Sequence, residues 1–164
     1  MTLRFGILTL SDRSSRGERA DSSGPALARL IEAEGWSVVK QTVLPDAEIG
    51  IRETLNAWVD GGSMDVILTT GGTGFSPRDV TPEATRSVID REAPGLAEAM
   101  RSAGLVKTPH SMLSRGIAGI RKRTLIINLP GSPKGAVENL QTVLPVLSHA
   151  VQLLREDPAS EAAH

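Results

Sequence analysis

The residues in this chain that could perform chemistry stand directly after apolar segments typical of buried strands. The clearest case is the apolar run 66–68, which leads into a turn containing Gly71, Gly72 and Gly74. Glycine adopts positive φ without strain, and its bare backbone lets N–H groups approach a ligand closely. A helix start follows at residues 81–83, so the segment runs strand, glycine turn, helix. In open α/β sheets this order is typical of anion-binding sites.

Polar residues around the glycine turn favour a phosphate or pterin ligand over the alternative, a tight turn without a ligand. These residues are Thr70, Thr73, Ser76, Arg78 and Asp79. The glycine spacing matches neither the P-loop nor the dinucleotide-binding motif, so neither of those mechanisms applies. The turn is therefore a candidate anion site of another kind.

Three further loops follow predicted strands and carry polar or charged residues. They contain Ser11 with Asp12, then Asp46, and finally Gly131, Ser132 and Lys134. If the four strands are parallel neighbours, these loops meet the glycine turn at one edge of the sheet. Carboxylates there can hold Mg²⁺, which bridges phosphate oxygens, while N–H donors stabilise charge on a transferring phosphorus. Carboxylates, a metal ion and N–H donors are the groups that nucleotidyl transfer requires.

Each of these residues also has a purely structural interpretation. Asp46 could be the N-cap of the following helix, and Asp79 could cap the helix at 81 or pair with Arg78. Asp12 could lie in a solvated turn, and Arg78 and Lys134 could be ordinary surface charges. Ser114 could simply end a short helix, and residues 121–123 could form a hairpin tip, with a nucleic-acid contact as a minor alternative.

Composition excludes several other classes of function. There are no cysteines, so disulfides, thiolate metal sites and cysteine nucleophiles are absent, and His110 and His149 have no plausible partner for a zinc site. A net charge of −1 and an aromatic content of 2% argue against nucleic-acid binding. No G-x-S-x-G motif supports a hydrolase nucleophile. No apolar run is long enough to span a membrane, so we expect a soluble, cytoplasmic protein.

The first half of the chain alternates strands and helices. Strands are predicted at residues 3–10 and 36–44 and at the run that begins at 66, with helices at 21–34 and 47–59 between them. This β-α-β-α-β order predicts a parallel sheet covered by helices. The polar loop 14–19 is expected to be mobile.

The second half predicts a different arrangement. Helices are expected at residues 81–91 and 94–103, and a short helix at 109–114. Apolar runs at 116–120 and 124–129 predict a hairpin, which adds an antiparallel strand to the sheet. A long final helix should be kinked or split by Pro145. The tail 157–164 is predicted to fray.

Four segments together resemble a known family. They are TTGGTGFSPRDVTPEAT at residues 69–85, LTLSDR at 8–13, PDA at 45–47 and MLSRGIAGIRKRTLIINLPGSPK at 112–134. In sequence and order they resemble the molybdopterin adenylyltransferases of the MogA type, which are similar to the G domain of gephyrin. The resemblance covers residues 3–154. It implies one domain, residues 1–156, with a three-layer α/β/α fold and a mostly parallel sheet.

The resemblance also implies a reaction and a site. The terminal phosphate of molybdopterin attacks the α-phosphorus of Mg-ATP, which gives adenylylated molybdopterin and pyrophosphate. The two essential aspartates of the family fall on Asp46 and Asp79, which are expected to position Mg²⁺ and the triphosphate. The expected ligand-binding residues are Ser11, Asp12, Thr70, Gly71, Gly72, Thr73, Gly74, Arg78, Ser114, Gly131, Ser132 and Lys134.

The resemblance further implies a homotrimer and the molybdenum insertion enzyme of the same pathway as a partner. Some close relatives with the same motif bind molybdopterin without adenylylating it, which is the main alternative function. In larger proteins this domain is a trimeric scaffold module, or part of the insertion enzyme. Because no second domain follows residue 154, we expect neither role here.

Overall fold

The computed structural model describes residues 1–163 as a six-stranded sheet between two layers of helices. The strands are β1 Arg4–Leu10, β2 Ser37–Leu44, β3 Val66–Thr70, β4 Arg91–Glu92, β5 Ala118–Arg121 and β6 Thr124–Leu129. The helices are α1 Asp12–Ser15, α2 Ser23–Ala33, α3 Glu48–Asp60, α4 Thr81–Val88, α5 Pro94–Leu105 and α6 Pro133–Leu154, with 3-10 helices at Pro109–Leu113 and Pro158–Ala163. The predicted α/β class is confirmed.

The sheet has the strand order β2-β1-β3-β6-β5-β4. The first four strands in this order pair in parallel, whereas β5 pairs antiparallel with both β6 and β4. Every residue of β3 and β6 is buried, as expected for central strands covered on both faces. The predicted parallel neighbours and the predicted hairpin are therefore both confirmed, and the hairpin turns at Lys122.

Alternating side chains of the sheet build two separate cores. On one face Phe5 and Ile7 of β1 pack with Leu27 of α2 and Leu140 of α6. On the other face Leu8 and Leu10 of β1 pack with helices α3 and α4. Because successive strand residues point to opposite faces, apolar residues at every position bury helices on both sides. This gives the predicted three layers.

A charged cluster closes the edge of the sheet at which the parallel strands begin. Asp65, only 4% exposed at its side chain, accepts hydrogen bonds from the Arg4 backbone N–H at 2.9 Å and from the Arg4 guanidinium at 3.0 and 3.1 Å. Arg155, just after α6, also donates to it. Burial opposes ionisation, yet these hydrogen bonds hold the pKa of Asp65 below its ordinary value. The cluster ties α6 to the strands.

The structure corrects several predicted boundaries. The helix predicted at 81–91 ends at Val88, because Asp90 N donates to Ile120 O at 2.7 Å and the chain enters the short strand β4. Residues 12–15, predicted to be loop, form the short helix α1. Of the two effects predicted for Pro145, the split is wrong, since α6 runs unbroken for 22 residues, and the kink stays a prediction. Pro145 lies on the exposed side, where the carbonyl it leaves unbonded can be hydrated.

The end of the chain was predicted to fray, and it contains the 3-10 helix Pro158–Ala163. Ser160 of this helix is buried. Fraying of the tail in solution stays a prediction. Within residues 1–163, no helix combines the length and the apolar character needed to cross a membrane.

Candidate active site

A cavity of about 520 Å³ lies at the edge of the sheet where the parallel strands end. Loops that follow β1, β2, β3 and β6 form it, which is the convergence that the strand order requires. Predicted site residues that line it are Ser11, Asp46, Thr70, Gly71, Gly72, Asp79, Gly131 and Ser132. Eight of the residues singled out from sequence therefore meet in one place.

Two glycines of the turn are required by close approach. Gly71 has φ +102°, and a Cβ there would lie 2.3 Å from the carbonyl oxygen of Leu10. Gly72 has φ +68°, and its Cβ would lie 2.3 Å from Thr81 Oγ1 and 3.1 Å from Asp46 Oδ1. Any other residue would push the turn away from β1 and from the Asp46 carboxylate. The glycines thus allow the turn to sit against a charged side chain.

Arg115 holds the glycine turn in this position. Its backbone N–H donates to Thr73 O at 2.8 Å, and its guanidinium donates to Gly74 O at 2.7 Å and to Asp79 O at 2.9 Å. The same guanidinium pairs with Glu83, whose pKa it lowers. One arginine therefore fixes both ends of the segment 73–79. Sequence reasoning missed this role, because Arg115 is 36 residues from Asp79.

Asp46 and Asp12 join the loops after β1 and β2 through reciprocal hydrogen bonds. Asp12 N donates to Asp46 Oδ2 at 3.1 Å, and Asp46 N donates to Asp12 Oδ1 at 3.0 Å. The N-cap of α3 is Ala47, without a side-chain capping bond. The interpretation of Asp46 as an N-cap is therefore wrong. Its carboxylate instead positions a neighbouring loop and faces the cavity.

The second oxygen of Asp46 is the exceptional atom of the site. Oδ1 is buried and accepts no hydrogen bond within the described chain. Loss of hydration raises the pKa of Asp46, and the charges of Asp12 and Asp79 add to that rise. A buried carboxylate oxygen without a partner is costly, and a cation or a donor from a ligand would satisfy it.

Asp79 has neither of the structural roles considered from sequence. Its Oδ2 accepts from Ser76 N at 3.0 Å, whereas the N-cap of α4 is Val80, without a side-chain bond. Arg78 pairs with Asp12 at 2.9 Å and not with Asp79. Asp12 has a lowered pKa, chiefly through the hydrogen bond from Asp46 N and then through Arg78. Asp12 and Arg78 are therefore paired with each other and lie outside the cavity lining.

The hydroxyl groups and the remaining predicted residues have local roles as well. Ser11 Oγ caps α1, Ser132 Oγ caps α6, and Thr70 Oγ1 donates to Pro130 O at 2.6 Å. Thr73 and Gly74 belong to the segment fixed by Arg115. Lys134 is exposed and lies 4.0 Å from Glu138, outside the cavity.

A second cavity of about 260 Å³ adjoins the first, and Ser132 lines both. Ser114 lines only the second cavity, beside Arg101 and Asn128. Arg101 donates to Gly116 O at 2.8 Å, and Asn128 donates to Thr69 and Thr85, so the wall is fixed by hydrogen bonds. The predicted site residues thus line two adjoining cavities, with Ser114 in the second.

Sequence reasoning also missed one wall of the first cavity. The missed lining residues are Thr9, Leu10, Ser14, Arg19, Ala20, Asp21, Ser22 and Ser23. Asp21 accepts from Thr9 Oγ1 at 2.9 Å and from Gly24 N at 3.1 Å, so its carboxylate secures the start of α2. The polar sequence between β1 and α2 was the available signal, but it reads equally as a solvated loop.

Two carboxylates, Asp46 and Asp79, are available in the cavity for a divalent cation. No group of three or more His, Cys, Asp and Glu that could hold a metal ion occurs within residues 1–163.

Comparison with known proteins identifies the family. Residues 6–149 match the family described as probable molybdopterin binding domain. A molybdopterin adenylyltransferase from Escherichia coli K12 is 44% identical over 144 residues, which are 87% of this chain and 74% of the relative. The structure of the molybdopterin biosynthesis enzyme MoaB from Thermus thermophilus matches with TM-score 0.90 and 53% identity, over 96% of this chain and 99% of that chain.

Longer proteins contain a similar segment. The molybdenum cofactor synthesis protein cinnamon of Drosophila melanogaster is 44% identical over 95% of this chain, and gephyrin of Dictyostelium discoideum is 46% identical over 94%. This chain spans 26% and 23% of the length of those two relatives. Because the family match extends over most of the sequence, the chain belongs to the probable molybdopterin binding domain family.

Proposed function

We propose that this protein is a molybdopterin adenylyltransferase, which transfers AMP from Mg-ATP to the terminal phosphate of molybdopterin. The observation that carries the proposal is the buried, unpartnered Oδ1 of Asp46, placed beside the glycine turn in a cavity that Asp79 also lines. Relatives that bear this name and cover most of the chain support the same reaction.

Asp46 and Asp79 would hold Mg²⁺. The ion fits because Asp46 Oδ1 lacks a partner and because the two carboxylates repel each other, which a divalent cation would reverse. When bound, Mg²⁺ neutralises charge on the phosphate oxygens. Asp12 would keep Asp46 aimed at the cavity through its reciprocal hydrogen bonds, and so acts as a positioning residue.

The phosphates would be bound by backbone groups and by the end of a helix. Gly71 and Gly72 of the glycine turn and Ser132 at the amino end of α6 line the cavity, and both a glycine-rich turn and a helix amino end favour anions. The Gly71 N–H already donates to Leu129 O, so the N–H groups that would bind phosphate are those that follow it in the turn. A phosphate oxygen of molybdopterin forms a bond to the α-phosphorus, while the bond from that phosphorus to the β-bridging oxygen breaks. Pyrophosphate leaves with that electron pair, and the residues position and stabilise charge rather than form a covalent intermediate.

The second cavity would receive the pterin end of the acceptor. It adjoins the first at Ser132, which lines both cavities, so a phosphate carried by the pterin would approach the nucleotide across this residue. Ser114 supplies a hydroxyl in that space. We therefore propose that the nucleotide occupies the first cavity and molybdopterin the second.

Turnover with molybdopterin and Mg-ATP tests the function, with pyrophosphate and adenylylated pterin as the readouts. We expect product from the wild type and loss of product from Asp46→Asn and from Asp79→Asn. Asp60→Asn, at an exposed ion pair with Lys122 on the opposite edge, is the matched control and should keep normal turnover. Normal turnover in both site variants would refute the assignment of these aspartates.

The alternative function is binding of molybdopterin without adenylylation. The same assay separates the two functions, because a binding protein retains the pterin tightly and releases no pyrophosphate. That result would refute the proposed reaction and leave the family assignment intact.

We also propose a homotrimer, a cytoplasmic location and the molybdenum insertion enzyme as the recipient of the product. These proposals rest on the family resemblance. Light scattering of purified protein tests the trimer, and fractionation of cells tests the location. Co-purification with the insertion enzyme, in the presence and absence of the adenylylated product, tests the partner.

A further inference from the structure

Arg19 is the only basic residue that lines the first cavity within residues 1–163. The other charged residues of that lining are the carboxylates Asp21, Asp46 and Asp79. A cavity with one cation among three acids is unusual for a site that must take a highly anionic nucleotide. The surroundings of Arg19 therefore bear on what it binds.

The arginines near the cavity differ in whether their charge is already paired. Arg16 pairs with Glu18 at 2.8 Å, and Arg78 pairs with Asp12 at 2.9 Å. Arg19 forms no ion pair with a carboxylate of residues 1–163. Its Nη2 donates a hydrogen bond to Ser11 Oγ at 3.4 Å. A guanidinium carries five N–H donors in a fork that suits phosphate oxygens. Arg19 thus faces the cavity with most of its donors available.

The strand order places Arg19 and Ser132 on opposite sides of the glycine turn. Arg19 lies between α1 and α2, and its Nη2 is 3.4 Å from Oγ of Ser11, the first residue after β1. Ser132 follows β6, and β3, which carries the turn, lies between β1 and β6. Strands two positions apart in a sheet are separated by about 10 Å. A nucleophile that enters from the Ser132 side attacks in line with its leaving group, which then departs on the Arg19 side.

We propose that Arg19 binds the β- and γ-phosphates of ATP and the pyrophosphate derived from them. The proposal rests on the proposed function for its choice of nucleotide. Ser14, Ser22 and Ser23 line the cavity with Arg19. The Ser23 hydroxyl donates to Asp21, so the hydroxyls of Ser14 and Ser22 would supply the further donors for phosphate oxygens. Arg19 is thus a substrate-binding residue that contacts the leaving group of ATP, pyrophosphate.

A competing explanation is that Arg19 only offsets the charge of the three aspartates. In that case its removal would strengthen Mg²⁺ binding and leave discrimination between anions unchanged. The two explanations predict different rankings of ligands, so binding measurements separate them.

Calorimetric titration of Mg-pyrophosphate, Mg-ATP and AMP into wild type and Arg19→Gln is the test. We expect Arg19→Gln to weaken pyrophosphate and ATP binding about tenfold, as for loss of one hydrogen bond to a charged group, with AMP affinity within twofold. Arg19→Lys should restore part of the loss. Arg16→Gln is the control, because Arg16 lies three residues before Arg19, does not line the cavity and is already paired with Glu18. This variant should bind all three ligands like the wild type.

Three outcomes would overturn the proposal. They are unchanged pyrophosphate affinity in Arg19→Gln, an equal loss for AMP, and a wild type that binds no pyrophosphate. Failure of the proposed function looks different, because a wild type that binds Mg-pyrophosphate through Arg19 but forms no adenylylated product refutes the reaction alone. Circular dichroism of each variant confirms that the fold is kept.

Discussion

Replacing Asp46 with asparagine should make the protein more stable while it abolishes turnover. In the wild type without metal, Asp46 Oδ1 is buried and lacks a partner, and burial with two neighbouring carboxylates disfavours its charge. Asparagine is nearly the same size, carries no charge and can still accept the hydrogen bond from Asp12 N. The substitution therefore removes an unfavourable charge and keeps the loop contact.

The expected gain in the free energy of unfolding is about 1 kcal/mol. An unsatisfied buried polar group costs about 1–3 kcal/mol and a charged one more. The asparagine Nδ2 would replace Oδ1 in the same position without a partner, so only the difference between a charged and a neutral group is gained, and Asp46 as a whole is only half-buried. For a chain of this length, such a gain raises Tm by about 2–4 °C. Turnover should fall at least about 100-fold, because a ligand of the proposed metal is lost.

The effect has a defined dependence on pH. The pKa of Asp46 is raised in the folded state, so the folded protein retains a proton that the unfolded chain loses above pH about 3.9. Wild-type stability therefore falls as pH rises through the interval between the two pKa values. The advantage of Asp46→Asn should be complete above that interval and should vanish below pH about 3.9.

Urea unfolding at pH 7 and at pH 3.5, with chelator and with Mg²⁺, measures all of these effects. Added Mg²⁺ should stabilise the wild type by mass action and leave the stability of Asp46→Asn unchanged. The difference in free energy of unfolding between the two proteins should therefore shrink or change sign. Asp21→Asn is the matched control, since Asp21 lines the same cavity but both its oxygens are bonded, and this variant should lose stability. An Asp46→Asn protein less stable than the wild type at pH 7 in chelator would refute the reasoning.

Three further predictions concern residues that hold the sheet edge and the glycine turn in place. Asp65→Asn should lower the free energy of unfolding by about 2–3 kcal/mol at pH 7, because it removes a buried partner of two arginines that are themselves partly exposed. Since folding lowers the pKa of Asp65, this loss of stability should disappear as pH falls through the lowered pKa. The control Asp60→Asn, at an exposed ion pair, should lower the free energy of unfolding by under about 1 kcal/mol in the same urea titration. Gly71→Ala should destabilise the protein by more than about 2 kcal/mol, because of the positive φ and the contact of the new Cβ with the carbonyl oxygen of Leu10. Gly50→Ala, in open space on α3, should stabilise it by about 1 kcal/mol in thermal unfolding. Arg115→Lys should lower kcat/KM about tenfold or more and speed amide hydrogen exchange in residues 73–79, because an ammonium cannot bridge the same three partners; unchanged exchange there would contradict the role of this arginine.

The fold could be predicted from local patterns because its strands carry unambiguous signals. β3 and β6 contain the apolar runs 66–68 and 125–127, and each strand leads into a glycine-containing turn. The burial of both strands and the positions of their carboxyl ends could therefore be predicted. The short strand β4 could not be predicted. Its two residues, Arg91 and Glu92, are charged and exposed, and only pairing with β5 makes them a strand.

The site was predictable in position but not in its contacts. Parallel strand order alone brings Asp46, Asp79 and the glycine turn to one edge. Local sequence left capping open for Asp46 and pairing with Asp79 open for Arg78, whereas the actual partners are distant in sequence. Asp12 is 34 residues from Asp46 and 66 from Arg78, so only the tertiary fold determines these pairs. The wall with Arg19 was missed for a different reason, because its polar residues between β1 and α2 are equally typical of a solvated loop.

Helix α6 has a practical consequence for handling the protein. It spans about 33 Å from Ser132 at the cavities to Arg155, which bonds to Asp65 and also contacts Met1. Segments before β1 and after α6 therefore lie at the edge remote from substrate. A fluorophore, an affinity handle or a sensor surface can be attached at either position without shielding the cavities, and orientation on a chip will leave the reactive edge facing the solution.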